Sequence, residues 1–215
     1  VLVSSKSITV FDKENEKLWD APLAFPAGSV SVDFGDGAKA PCREAGNTLY
    51  LYDSQALTSF ELVSGKVRWR MPLPGVESIR LDSDGMLYVT NPESVSKVDP
   101  ETGKVLWKLD KKDVRFFLSG KFVYLSKAQV SGADMIRNLW TGKEIPTHFR
   151  IFRVDPKTGR ILWEFYRPKE PAAMDFENNR IVLLFPTEYR KDPKNPTGRP
   201  LVTPGELEIL RYLTF

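Results

Sequence analysis

The sequence predicts an all-β fold, a β-propeller of four-stranded antiparallel blades, with about four blades present in the chain. Three observations carry it. A turn that places Gly four residues before Trp recurs along the chain at close to blade spacing. An alternating apolar and polar strand precedes every copy. Aromatic residues make up 12% of the 215 residues, and Val, Leu and Ile are frequent, which favours β structure.

Ser64-Gly65-Lys66-Val67-Arg68-Trp69 returns as Thr102-Gly103-Lys104-Val105-Leu106-Trp107 and as Thr158-Gly159-Arg160-Ile161-Leu162-Trp163. A degenerate copy, Glu14-Asn15-Glu16-Lys17-Leu18-Trp19, stands near the start, with Asn15 in the glycine position. Asn is the non-glycine residue that best tolerates positive φ, so the exchange keeps the turn. Two copies read Asp-Pro-X-Thr-Gly, from Asp99 to Gly103 and from Asp155 to Gly159. Pro presets φ, Asp and Thr bond nearby backbone, and Gly takes the left-handed position. Each unit is therefore strand, tight turn, strand carrying Trp. Trp69 and Trp107 stand 38 residues apart, near the ~40–45 of a propeller blade. A sandwich would not need the same turn and Trp in every unit.

Lettering strands A to D outward from the hub, 1–22 holds strands B, C and D of a partial first blade. A second blade covers 29–73, with an enlarged A–B loop around 35–46. A third covers 76–109, where the turn Asp82-Ser83-Asp84-Gly85 joins strands A and B. A fourth covers 114–166, with an insertion over 127–148 between strands B and C. The last covers 172–215, with an insertion over 189–205 between B and C and a strand C from Glu206 to Tyr212. No Trp-bearing strand follows it, and Val1 falls inside an apolar stretch. The expectation is the C-terminal part of a larger propeller, completed by upstream blades, another chain or self-association. A complete chain in an unusual four-bladed closure is the alternative.

Composition narrows the function. The net charge of +3 gives no ground to expect nucleic-acid binding. No apolar run reaches the roughly 18 residues of a membrane helix, so no transmembrane segment is expected. Cys42 is the only cysteine and His148 the only histidine, which excludes an internal disulfide, a His-rich metal site and a histidine dyad. Asp82, Asp84, Asp99 and Asp155 fall in turns, where Asp has a structural reason to be. No catalytic and no metal-binding residue is assigned.

The turn-plus-Trp unit resembles the repeat of the pyrroloquinoline quinone-like propeller family, and the resemblance covers most of the chain. It implies a ring of about seven or eight blades. It assigns Trp19, Trp69, Trp107 and Trp163 to packing between blades, with Gly65, Gly103 and Gly159 as the turn glycines. The family contains quinone-dependent dehydrogenases, and also non-enzymatic members such as the propeller lipoprotein of the outer-membrane β-barrel assembly machinery. The resemblance to that branch implies an extracytoplasmic location and no cofactor. A dehydrogenase holding pyrroloquinoline quinone with calcium at the hub is the alternative, against which the single cysteine argues, because a vicinal pair is expected there.

A binding or scaffolding module is the preferred function, presenting a loop-built face to a protein or other macromolecule. Successive strands alternate direction, so both B–C insertions leave the same face of neighbouring blades. Long loops on a rigid scaffold are where binding concentrates. The candidate contact residues are Arg137, Trp140 and Lys143 in the first insertion, and Arg190, Lys191, Lys194 and Arg199 in the second.

Overall fold

The computed structural model describes residues 1–4, 6–22, 32–34, 39–130, 147–177, 180–185, 187–190 and 201–211. Every regular element among the described residues is a β-strand. β1 (Leu2–Val3), β2 (Ser7–Phe11) and β3 (Lys17–Pro22) form a first antiparallel sheet. β4 (Val32–Asp33) and β5 (Lys39–Ala40) form a short hairpin. The second sheet is β6 (Cys42–Ala45), β7 (Thr48–Tyr52), β8 (Ala56–Glu61) and β9 (Val67–Pro72), in that order. The third runs β10 (Ser78–Leu81), β11 (Leu87–Asn91), β12 (Ser94–Val98) and β13 (Val105–Asp110). The fourth runs β14 (Arg115–Ser119), β15 (Phe122–Val130), β16 (Thr147–Val154) and β17 (Ile161–Arg167). β18 (Ala173–Glu177) and β19 (Arg180–Phe185) begin the fifth sheet. β20 (Glu188–Arg190) and β21 (Leu201–Thr203) pair as a separate ribbon, and β22 (Glu206–Arg211) returns to pair with β19. Repeated sheets whose antiparallel strands mostly pair in chain order make this a β-propeller chain.

Two compact units divide the chain, one of Val1–Asp113 with Lys157–Gly159, the other of Val114–Pro156 with Arg160–Phe215. In the first unit β7 is buried along its whole length, because both of its faces are covered. Successive side chains point to opposite faces. Leu49 and Leu51 join Ile8 and Val10 of the first sheet, while Tyr50 and Tyr52 join Ile79, Leu87 and Val89 of the third. In the second unit Tyr124, Phe149 and Ile151 pack against Ile181, Leu183 and Phe185 in the same manner.

The recurring turn has one geometry. Asn15, Gly65, Gly103 and Gly159 all have positive φ, at 64°, 69°, 69° and 72°. The register shifts just before each turn, between Val10 and Phe11, Ser59 and Phe60, Lys97 and Val98, and Arg153 and Val154. This bulge lets the next strand start with its Trp aimed along the sheet stack. Asp99 fixes its own copy: its Oδ1 accepts from the Glu101 amide at 2.8 Å, and its carbonyl accepts from the Gly103 amide at 2.9 Å.

Trp19, Trp69 and Trp107 each seat on the following turn. A Cβ built on Gly65 would lie 2.6 Å from Trp19, one on Gly103 2.7 Å from Trp69, and one on Gly159 2.7 Å from Trp107. The indole Nε1 of Trp19 donates to the Leu62 carbonyl at 2.7 Å, and that of Trp69 to the Pro100 carbonyl at 2.8 Å. The glycine is needed twice, for its φ and for the space its missing side chain leaves. Trp163 is part-buried against the core of the second unit.

Two features differ from the sequence expectation. The first strand of the second sheet is Cys42–Ala45, inside the segment expected to be an A–B loop. The apolar segment before it adds to the third sheet instead: β4 lies parallel to β10, with Asp33 opposite Ser78. Val32 and Phe34 are buried there, and Arg80 binds Asp33 at 2.6 Å. The second difference is in the fourth sheet, where strand pairing continues into the expected insertion as far as Val130 and Thr147.

Candidate functional site

Most B–C connections are tight. β11 and β12 are closed at the pair Asn91 and Ser94, with the Asn91 Oδ1 accepting from the Glu93 and Ser94 amides at 2.9 and 2.8 Å. The second unit departs from this twice, at the two places where the sequence carries its insertions.

The first departure is an arm built from β15 and β16. Their pairing runs through Lys127 and Arg150, Gln129 and His148, to Val130 and Thr147. β14 pairs no further than Ser126, and β17 no further than Phe149. The hairpin thus stands beyond the four-stranded blade. Directly opposed residues share a face, so Lys127, Gln129, His148 and Arg150 form one polar face, continued by Tyr166 opposite Arg150. His148 Nδ1 and the Tyr166 hydroxyl share a hydrogen bond of 2.6 Å with their rings stacked, and Arg150 pairs with Glu164 at 2.5 Å.

The second departure is the β20–β21 ribbon, held by the pairs Glu188 with Thr203, Tyr189 with Val202 and Arg190 with Leu201. At its foot lies a cleft of about 230 Å³ in the second unit. It is lined by Arg167, Pro168 and Lys169 at the end of β17, and by Phe185, Thr203, Pro204, Glu206 and Glu208. Arg167 Nε donates to both carboxylate oxygens of Glu208, at 3.0 and 2.9 Å, while its guanidinium lies 4.1 Å from the Phe165 ring centroid.

Of the contact residues read from the sequence, Arg190 closes the ribbon through its backbone. Arg137, Trp140, Lys143, Lys191, Lys194 and Arg199, and the Arg190 side chain, lie outside the described residues. Sequence reasoning missed Arg167, Glu206 and Glu208. They lie on strands that read as ordinary blade, and only the fold brings β17 beside β22.

Burial, then the Glu44 carboxylate, push the Cys42 thiol above its ordinary value, with the N-terminal charge opposing. A raised thiol is a poor nucleophile at neutral pH. Burial, then the Asp82 and Asp84 carboxylates, push the Tyr88 phenol well above its ordinary value.

A quinone with calcium needs converging oxygen donors and an open hub edge. Among the described residues no group of three His, Cys, Asp or Glu side chains converges. The inner edge of β10 is taken by β4, and Asp33 there is bound to Arg80.

The family model described as outer membrane protein assembly factor BamB matches residues 4–178. A curated outer membrane protein assembly factor BamB from Burkholderia pseudomallei (strain K96243) is 30% identical over 97 residues, covering 45% of this chain and 26% of that protein. The crystal structure of BamB from Moraxella catarrhalis aligns with a TM-score of 0.48 at 14% identity, over 84% of this chain and 50% of that one. The Pan2 WD40 domain of Neurospora crassa aligns with a TM-score of 0.45 at 11% identity, over 97% of this chain and 57% of that one. The chain thus spans about half the length of the solved BamB. With four-fifths of its residues inside the matched model, the chain belongs to the outer membrane protein assembly factor BamB family.

Proposed function

We propose that this chain is part of a non-catalytic, extracytoplasmic propeller that holds a protein partner during the assembly of outer-membrane proteins. The observation that carries it is the pair of drawn-out B–C connections in the second unit. Elsewhere among the described residues B–C turns are closed tightly, so the extra chain is confined to one end of two sheets that share a core. Ribbons rooted in a packed blade hold their shape and lose little entropy on contact. The assembly role is taken from the family; the ribbons are where this chain would exercise it.

The outer face of the fifth sheet supports a second contact. Leu184, Leu207 and Ile209 lie on one face of paired strands and are exposed. The same alternation is covered by a neighbouring sheet at every interface within the units. A further blade, from the same chain or another copy, is the partner that fits this face.

The test replaces 131–146 and, separately, 191–200 with short Gly-Ser linkers in the complete protein. Loss of outer-membrane protein assembly, with folding unchanged by circular dichroism, is the expected result. Full activity in both deletions would overturn the proposal. A quinone titration followed by absorbance tests the dehydrogenase alternative, and saturable uptake would restore it.

A further inference from the structure

We infer that the cleft at the foot of the β20–β21 ribbon is an anchor pocket for one arginine side chain of an extended partner segment. The inference rests on the binding-module function proposed above and names the chemistry of its contact. The cleft exists because the chain leaves the fifth sheet at Phe185 and returns only at Glu206, which pairs with it.

Its volume of about 230 Å³ suits a single large side chain. Pro168, Pro204 and Phe185 give it apolar walls, suited to the methylene stem of a long cationic residue. The charges decide the head group. Arg167 and Glu208 neutralise one another through the two-oxygen contact, and that contact fixes one wall. Lys169 is already engaged in an interaction of its own. Glu206 is exposed at the mouth and takes part in none of the ion pairs formed among the described residues.

Phe185 and Glu206 are directly opposed, so ring and carboxylate face the same side. A guanidinium placed there meets the carboxylate with its fork and the ring with its face. An apolar side chain would strip water from the Glu206 carboxylate without replacing it.

The test is a titration of the full-length protein with N-acetyl-arginine amide, followed by backbone amide chemical shifts, with N-acetyl-leucine amide as the comparison. Saturable shifts clustered at Lys169, Thr203 and Glu206 with the arginine probe are expected, and none of that pattern with leucine. Glu206→Lys should weaken the arginine probe at least about tenfold, as one charge reversal at a partly desolvated contact does. Thr203→Trp, which fills the cleft without changing charge, should weaken it comparably. Equal response to both probes, or a titration unchanged in both variants, would overturn the inference.

Outer-membrane assembly measured on the same variants separates the two levels. Assembly lost in the ribbon deletions with no arginine pocket overturns only the pocket. A pocket that binds arginine while both deletions assemble normally overturns the module reading and leaves the site as a small-cation binder.

Discussion

Replacing Gly103 by Ala tests the seating of each Trp on the next turn. The new Cβ meets two separate costs. Gly103 has φ of +69°, a left-handed conformation that charges an L side chain about 1–2 kcal/mol. The Cβ would also stand 2.7 Å from the Trp69 ring, closer than packed atoms approach, so the indole must shift. Displacing a well-packed side chain costs about 1–3 kcal/mol. The sum is about 2–5 kcal/mol. Gly85→Ala is the matched control, because Gly85 has φ of +77° and nothing within 4 Å of a built Cβ. It should show the conformational part alone, about 1–2 kcal/mol. Urea unfolding followed by Trp fluorescence reads both, as a fall in midpoint at constant slope. The fluorescence of native Gly103→Ala should also shift to the red, since the Trp69 Nε1 loses its seat beside Pro100. Equal midpoints for the two variants would refute the claim that the glycine is kept for the indole.

Other predictions follow from the same contacts. Asp33→Ala should free the β4–β5 hairpin, seen as faster hydrogen exchange at β10, with a stability loss of about 1 kcal/mol for a pair whose side chains are 26% and 25% exposed. Cys42 should react slowly with a maleimide at pH 7 in the native chain, and at the rate of a free thiol once unfolded in urea. Tyr50, Tyr88 and Tyr124 are all raised by burial, so the folded state holds their protons to higher pH than the unfolded state does. Stability is then fully kept below the unfolded phenol value near pH ~10 and falls as the pH rises through it, measurable as an alkaline drop in urea midpoint. Tyr124→Phe should blunt that drop.

The turn repeat was legible because it is local: five residues and a Trp specify φ, bulge and strand start together. Asn15 was even readable as a glycine substitute, and it does take φ of 64°. The hairpin of β4 and β5 was not legible. Val32-Asp33-Phe34 looks like any strand opening, and its choice of β10 as partner depends on the buried Phe34 and on Arg80, 47 residues away. The arm was misjudged in length for a different reason. Lys127-Ala128-Gln129-Val130 alternates as a strand does, but its polar residues read as loop composition when the blade edge was taken to end the strand. The charged wall of the cleft was not legible. The Arg167–Glu208 wall joins residues 41 positions apart that share no motif.

The seating of each Trp on the following glycine has a practical consequence for anyone who cuts this protein. The unit of sheet pairing and the unit of docking are out of phase by one. A fragment trimmed neatly after Asp110 would contain three finished sheets, yet Trp107 would lose the glycine it rests on, because that glycine is Gly159. The compactness of the first unit already reflects this, since it claims the three-residue turn Lys157–Gly159 from far along the chain. Excisions, fusions and blade swaps should therefore be drawn from turn to turn, carrying each indole together with the glycine that receives it.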